Sequence, residues 1–222
     1  MKHLIFDSGP LINFSMNGLL DLLVNLKKEF KGDFLITKEV KKEIIDHPRT
    51  IRRFKLGALK LKNLYDKKII KLADITKSEV DELRRKREKL MSIANSTFIG
   101  KKGPIHLIDK GESAVLALSL ILNEPNVIVI DERTTRMLCE NPENLRKLLE
   151  KKLKTKIKSK KENYKFFKDF KIIRSTELAY IANKKNLLGL KYPEAFEAVL
   201  YGLKYKGCSI SEEEVQKMKS MY

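Results

Sequence analysis

Two short apolar runs that each end in an aspartate constrain the fold of this chain more than any other feature. The first run, Leu4-Ile5-Phe6, precedes Asp7 and then a break at Ser8-Gly9-Pro10. The second run, at 126–130, precedes Asp131. A short apolar run that is bounded by turn residues is typical of a buried strand. The sequence therefore predicts two buried strands, each with an acid directly after its carboxyl end.

Helical patterns separate these strands and define the fold class. Apolar residues at helical spacing, or helix start signals, predict helices over 11–28, 38–47, 50–66, 76–90, 109–123, 175–189, 193–206 and 211–220. Gly18 is expected to divide the first of these into two short helices. Further strands are predicted at 33–37, 67–74 and 170–174, and a loop at 95–107. This alternation predicts an α/β fold in which a mainly parallel sheet lies between two helical layers.

Charge and cysteine content indicate the class of partner and the compartment. The chain has 222 residues and a formal net charge of +18, which favours a polyanion as partner. Nucleic acid is the first candidate and a membrane surface the second, while a lysine-rich composition from a hot or salty habitat is the alternative explanation. Two cysteines form neither a disulfide framework nor a zinc site. Without a signal peptide or a membrane span, we expect a soluble cytoplasmic protein.

Two segments concentrate the positive charge. A basic helical segment at about 76–102 carries RRKREK at 84–89, and a lysine-rich stretch at about 141–170 is expected to be a helical insertion. The candidate nucleic-acid-binding residues are Arg84, Arg85, Lys86, Arg87, Lys152, Lys154, Lys156 and Lys158. A solvated helix face is the alternative for the lysines. The aromatic residues Tyr164, Phe166 and Phe167 are suited either to stacking on bases or to anchoring the insertion.

Four acids form the candidate site. Asp7 and Asp131 follow strands whose carboxyl ends meet at one edge of a parallel sheet if the strands are neighbours. Glu43 and Glu112 lie in helices that can reach the same edge. Like charges that lie close together repel one another, and Mg²⁺ or Mn²⁺ relieves that repulsion because both ions prefer carboxylate and water oxygens. For any single acid, a role as a turn, cap or solvated helix residue remains the alternative.

Four motifs that contain these acids follow one another along the chain. They are Asp7-Ser8-Gly9-Pro10-Leu11-Ile12, Val40-Lys41-Lys42-Glu43, Asp109-Lys110-Gly111-Glu112-Ser113-Ala114 and Ile130-Asp131-Glu132. Their order and spacing resemble those of PIN domains, a family of metal-dependent nucleases, and are closest to the prokaryotic branch related to VapC-type toxins. The resemblance covers about 1–50, 105–138 and 170–190. It departs from the family pattern in the long segment 50–104, in the lysine-rich stretch and in Glu132, which replaces a common second aspartate.

The resemblance implies a chemistry and a set of roles. Asp7, Glu43, Glu112 and Asp131 would be the catalytic and metal-binding acids for Mg²⁺ or Mn²⁺, with Ser8 and Glu132 in support. The implied activity is metal-dependent phosphodiester hydrolysis, with RNA as the usual target and an endoribonuclease as the expected enzyme. The alternative is a catalytically inactive PIN-like protein that binds nucleic acid in RNA processing or ribosome assembly. A toxin of a toxin–antitoxin pair is a third interpretation, which the chain length disfavours.

The resemblance also implies an organisation of the chain. A PIN-like nuclease domain is expected over 1–190, followed by a C-terminal helical extension over 191–222. Homodimers are common in the family, so a homodimer is also expected.

Other chemistries lack supporting motifs. The three histidines, His3, His47 and His106, are scattered along the chain, and no Ser-His-Asp arrangement has suitable spacing. No P-loop is present, and no glycine-rich dinucleotide fingerprint follows a strand. The sequence therefore counts against nucleotide triphosphatase and dinucleotide-binding functions.

Overall fold

A five-stranded parallel sheet forms the centre of the protein in the computed structural model, which describes residues 2–221. The strands are β1 (His3–Phe6), β2 (Asp33–Ile36), β3 (Lys71–Leu72), β4 (Phe98–Gly100), β5 (Gly103–Pro104), β6 (Asn126–Val129), β7 (Lys158–Ser159) and β8 (Ile172–Ile173). The central sheet has the order β3-β2-β1-β6-β8. The other three strands form a small antiparallel sheet in the order β5-β4-β7.

Helices connect the strands and cover the sheet. They are α1 (Ser8–Met16), α2 (Leu20–Glu29), α3 (Lys38–Lys41), α4 (Lys55–Asp66), α5 (Lys77–Thr97), α6 (Lys110–Ile121), α7 (Arg133–Glu140), α8 (Pro142–Leu153), α9 (Ser175–Lys184), α10 (Ala195–Tyr205) and α11 (Glu212–Ser220). Helix α6 packs on β1, β6 and α5, whereas α9 packs on α1, α2 and α10. The protein is thus the predicted three-layer α/β/α fold, and the fold-class prediction is confirmed.

Strand β1 lies in the middle of the sheet, between β2 and β6. Leu4, Ile5 and Phe6 are each at most 3% exposed, because both faces of the strand are covered. Phe6 is paired in register with Val129, the last residue of β6. The residues that follow β1 and β6 therefore emerge side by side at the carboxyl edge of the sheet.

Several predicted elements differ from the structure in their bounds. Gly18 has φ +70° and separates α1 from α2, as predicted. The strand predicted at 67–74 is only two residues long. The loop predicted at 95–107 is wrong, because α5 continues to Thr97 and the chain then forms the β4–β5 hairpin. The sequence signal was weak there, since the strands are short and pair only with each other and with β7.

The lysine-rich stretch is tied to the rest of the fold through regular structure. It contains α8, strand β7 and a 3-10 turn at Lys161–Phe166, and β7 pairs with β4. Phe167 is fully buried, and the Tyr164 ring packs edge-on against Phe98. These contacts anchor the lysine-rich stretch to the rest of the fold, which is one of the two roles expected for its aromatic residues. The predicted domain limits at residues 190 and 191 stay a prediction.

No helix within residues 2–221 is long and apolar enough to cross a lipid bilayer.

Candidate functional site

Asp7 begins the site at the carboxyl end of the central strand. Its backbone N–H donates to the carbonyl of Val129 at 3.0 Å, which fixes it beside β6. It is the N-cap of α1, and its carboxylate accepts from the backbone N–H of Gly9 at 3.4 Å. Only 5% of Asp7 is exposed. Burial, followed by the charge of Glu112, raises the pKa of Asp7 to about 7, and the charge of Glu43 adds to this effect.

Asp131 lies close to Asp7, and both residues are near Gly9. A Cβ atom built on Gly9 would lie 3.6 Å from the Asp7 carboxylate and 3.9 Å from Asp131 Cβ. The Asp131 residue is itself buried, and its carboxylate accepts three hydrogen bonds. Ser175 donates to it through its backbone N–H and its hydroxyl, both at 2.8 Å, and Asn13 donates through Nδ2 at 3.1 Å. These donors hold the carboxylate in one orientation.

Glu43 reaches the site from an irregular part of its helix. Helix α3 continues into a π-helical turn over Lys42–Asp46, which ends before Pro48 because proline has no N–H to donate to the preceding turn. Such turns are frequent at functional sites. Although much of the Glu43 residue is exposed, its carboxyl group lies against Gly111, where an added Cβ would be 2.7 Å from Oε1. Burial of this group raises its pKa, while a hydrogen bond from the Ser8 side chain opposes the rise.

Glu112 occupies the first turn of α6 and lies near three acids, Asp7, Asp109 and Glu132. Its carboxylate accepts from the backbone N–H of Asp109 at 2.8 Å, which completes a capping box at the helix start. Burial raises its pKa, and the charges of Asp109 and Glu132 contribute to the rise. Glu132 is the N-cap of α7 and accepts from the backbone N–H of Thr135 at 2.6 Å. Glu112 thus stabilises the start of α6, which was the alternative to a site role, and it also lies among other acids.

The donor chemistry of this edge fits a hard divalent cation, since it offers buried carboxylate oxygens that repel one another. Burial and this repulsion together raise the pKa values of Asp7, Glu43 and Glu112. However, within residues 2–221 no group of three or more His, Cys, Asp or Glu side chains is already arranged to hold a metal ion. The four predicted acids therefore share one edge without forming a closed ligand set.

Sequence reasoning missed three residues of this site. Asn13 and Ser175 orient Asp131, and Asp109 adds a further charge near Glu43 and Glu112. Asp109 belonged to one of the four motifs and Ser175 to the start of a predicted helix, but neither pattern indicated a contact with the acids. Asn13 is 1% exposed in the otherwise apolar run Leu11–Phe14, and a polar residue in such a run was the available signal.

The predicted basic residues lie at different places around the fold. Arg87 pairs with Glu39 and, at 3.3 Å, with Glu88, whereas Lys86 pairs with Glu82 at 3.2 Å. Arg84 lines a cavity between β2, β3 and α5, and Arg85 is exposed. The exposed lysines of the second cluster, which follow one another through the end of α8 and into β7, are Lys152, Lys154, Lys156 and Lys158.

A parallel α/β/α fold with buried acids at the carboxyl edge of its sheet defines the class to which this protein can be assigned. The chain belongs to the PIN domain family, whose family model matches residues 3–143. PIN domains are generally nucleases that use divalent metals. No curated protein and no solved structure matches the chain at a significant level. The relation to the VapC branch stays a prediction.

Proposed function

We propose that the protein is a divalent-metal-dependent nuclease, and specifically an endoribonuclease, whose site is the acidic edge around Asp7. The observation that carries the proposal is the burial of Asp7 among like charges. A carboxyl group with a pKa of about 7 beside Glu112 and Glu43 is costly to ionise unless a cation compensates it. Family membership supports the same chemistry.

The chain's own residues have distinct tasks in this proposal. Asp7, Glu43, Glu112 and Asp131 would hold Mg²⁺ or Mn²⁺. When bound, the ion supplies an acidic water and neutralises charge that builds up on the phosphate. Ser175 steadies Asp131 through two hydrogen bonds, and the Ser8 hydroxyl lies close enough to Glu43 to oppose the rise of its pKa. Burial of Asp7 and Asp131 keeps their oxygens away from bulk water, which strengthens their attraction to the ion.

RNA as the substrate rests on the family resemblance and on the charge of the chain. The net charge of +18 favours a polyanion, and single-stranded RNA is the proposed form. Cations outside the acidic edge must provide the affinity, since the acids themselves repel phosphate. The basic residues of α5 and of the lysine-rich stretch are candidates for that role.

Catalytically inactive nucleic-acid binding is the second candidate function, and two observations favour it. The Asp131 carboxylate already accepts three hydrogen bonds from Ser175 and Asn13. Moreover, no ready-made group of metal-binding side chains is found within residues 2–221. A binder in RNA processing would keep the fold and the basic surface without needing a cation.

The two candidates are separated by a cleavage assay on matched single-stranded RNA and DNA with Mg²⁺, Mn²⁺ or EDTA. We expect RNA cleavage that requires the metal and falls by at least about 100-fold in Asp7→Asn and in Asp131→Asn. Asp169→Asn, which changes an exposed acid outside the site, is the matched control and should cleave like the parent chain.

Three results would decide against the nuclease proposal in whole or in part. Tight, salt-sensitive RNA binding without cleavage in either metal would establish the binder. Cleavage that survives in both site variants would place the chemistry elsewhere or assign it to a contaminant. Cleavage of DNA alone would retain the nuclease and overturn the choice of RNA.

A further inference from the structure

An open cavity of about 490 Å³ lies beside the acidic edge, between the α3 segment, α5 and the start of α6. Its volume falls within the roughly 300–1,000 Å³ of ligand pockets. The residues that line it are Lys38, Glu39, Lys42, Glu43, His47, Arg87 and Lys110. Of the predicted nucleic-acid-binding residues, only Arg87 belongs to this set. The cavity is therefore distinct from the lysine-rich stretch.

Positive charge dominates the lining of this cavity. Four cationic side chains face two carboxylates, and one of those carboxylates, Glu39, is already paired with Arg87. Within residues 2–221, Lys38, Lys42 and Lys110 have no salt-bridge partner. The ion pair with Glu39 restrains the Arg87 guanidinium in the wall, and its side chain is 18% exposed. The cavity thus combines one cation that is held by an ion pair with three lysines that form no salt bridge within residues 2–221.

The cavity shares a wall with the candidate catalytic site. Glu43 lines the cavity and also lies against Gly111, close to the acids of the site. Lys110 directly precedes Gly111 and Glu112 at the start of α6. A strand whose phosphodiester approached the acids would therefore pass this group of cations next. Phosphate oxygens are the natural ligands for such a group, because arginine and lysine both bind them through charge-assisted hydrogen bonds.

We propose that this cavity binds a phosphate group of the nucleic-acid strand, adjacent to the phosphodiester that is cleaved. The proposal rests on the proposed function and adds the subsite that offsets the repulsion between the acidic edge and its substrate. Its principal cations are Lys42, which precedes Glu43, and Lys110, which precedes the glycine that Glu43 contacts, while Arg87 is the restrained cation.

The test measures binding rather than cleavage, so that it does not depend on catalysis. Fluorescence anisotropy would follow a labelled single-stranded RNA of about 12 nucleotides in EDTA, over about 50 to 200 mM KCl. The variant is Lys42→Gln/Lys110→Gln. The matched control, Lys31→Gln/Lys171→Gln, removes the same charge from two exposed lysines that precede β2 and β8, at the opposite edge of the sheet. Circular dichroism would verify that both variants fold.

We expect the cavity variant to bind RNA at least about fivefold more weakly at low salt. Its salt slope should be shallower by about 0.7 for each phosphate that the protein no longer neutralises. The control should change affinity less than about twofold, and Lys42→Arg/Lys110→Arg should restore binding, because charge is what the phosphate requires. Equal weakening in both glutamine variants, or none in the cavity variant, would overturn the proposal.

Competition identifies the ligand and separates this proposal from the nuclease proposal. Unlabelled RNA should displace the probe, whereas inorganic phosphate and an oligoglutamate of equal charge should compete poorly. Displacement by inorganic phosphate at the concentration effective for RNA would assign the cavity to free phosphate, and displacement by oligoglutamate would assign it to an acidic peptide; either result overturns the proposal. Normal RNA binding by the cavity variant alongside metal-dependent cleavage would refute the subsite alone.

Discussion

At the scale of single residues, the two aspartates of the candidate site differ in the hydrogen bonds that their carboxylates accept. Within residues 2–221, the Asp7 carboxylate accepts hydrogen bonds only from backbone N–H groups, and it is buried among like charges, so its pKa rises to about 7. Asp131 is equally buried but accepts three hydrogen bonds from Ser175 and Asn13. Hydrogen bonds to a carboxylate compensate for the missing water. Of the two aspartates, Asp7 is thus the one whose ionised form a bound cation would stabilise more.

The raised pKa of Asp7 predicts a pH-dependent cost to folding in EDTA. Because the folded protein holds this proton up to about pH 7 and the unfolded chain releases it near 3.8, the free energy of unfolding falls as pH rises from about 4 to 7. Asp7→Asn removes this penalty, at most about 4 kcal/mol, and asparagine still caps the helix. We expect the variant to be more stable than the parent at pH 8 and equal to it near pH 3.5.

Urea unfolding followed by circular dichroism at several pH values measures this difference. The exposed Asp169→Asn variant controls for the change in net charge. A gain in stability that does not depend on pH would contradict an Asp7 carboxyl group that is protonated in the folded state. Added Mn²⁺ should reverse the order at pH 8, since only the parent retains the charge that favours the ion.

At the scale of elements, the site depends on the fit between the π-helical turn and the start of α6. Gly111 allows the Glu43 carboxylate to lie over the first turn of α6. The approach is so close that any side chain at position 111 would displace the Glu43 carboxylate. The sequence predicted a helix over 38–47 from which Glu43 can reach the sheet edge, but the π-helical turn that carries Glu43 was not predicted. An extra residue in one turn depends on packing, which local propensity does not encode.

Gly111→Ala is expected to impair cleavage without destabilising the fold. Its methyl group would lie 2.7 Å from Glu43 Oε1, and this carboxylate can move because it ends a flexible side chain. We expect cleavage to fall about tenfold or more, since displacements of about 1 Å are costly in active sites. Alanine favours helices over glycine by up to about 1 kcal/mol, so the melting temperature should stay constant or rise by about 2–4 °C.

Gly57→Ala in α4 is the matched control. Its added Cβ would make only an ordinary contact, 3.6 Å from the Ser15 hydroxyl, so the variant should share the thermal effect and keep full cleavage. Parallel measurements of melting temperature and of the cleavage rate would separate the two effects. Unchanged cleavage in Gly111→Ala would show that the position of Glu43 does not matter for the reaction.

At the scale of the whole molecule, the C-terminal helices are part of the support of the site. The backbone N–H of Ser209 donates to the Asp131 carbonyl at 3.0 Å, and Asn13 Nδ2 donates to the carbonyl of Leu203 at 2.9 Å. Arg174, which precedes Ser175, is held by the Ser209 carbonyl at 3.1 Å and by Glu214 at 2.9 Å. The segment predicted as an extension therefore buttresses the residues that orient Asp131.

Truncation after Leu190 should consequently damage both stability and the site. It removes the contacts to Asp131 and Asn13 and exposes the core face that Leu203, Ile210 and Val215 bury. We expect a lower urea midpoint and loss of cleavage.

The milder variant Glu214→Gln should lower the free energy of unfolding by about 1 kcal/mol, because Arg174 keeps its ion pair with Glu177 and Glu214 is partly exposed. Glu213→Gln, at an exposed position of the same helix, is the control and should unfold like the parent.

A truncated chain that retained its urea midpoint and its cleavage would show that residues 191–222 are dispensable.

The predicted homodimer stays a prediction. The exposed apolar side chains Met16 on α1 and Leu56 and Leu59 on α4 support it, since α1 and α4 pack together.

The sequence by itself determined the α/β class, the order of the long elements and the acids that follow β1 and β6. Those features depend on local apolar periodicity, on turn residues and on the rule that parallel strands align their carboxyl ends. Tertiary structure alone decided that Asn13 and Ser175 hold Asp131, that Glu43 lies over Gly111, and that Lys42 and Lys110 face one cavity. These contacts join residues that are far apart in the chain, so their geometry depends on the packing of whole elements, which no local pattern encodes.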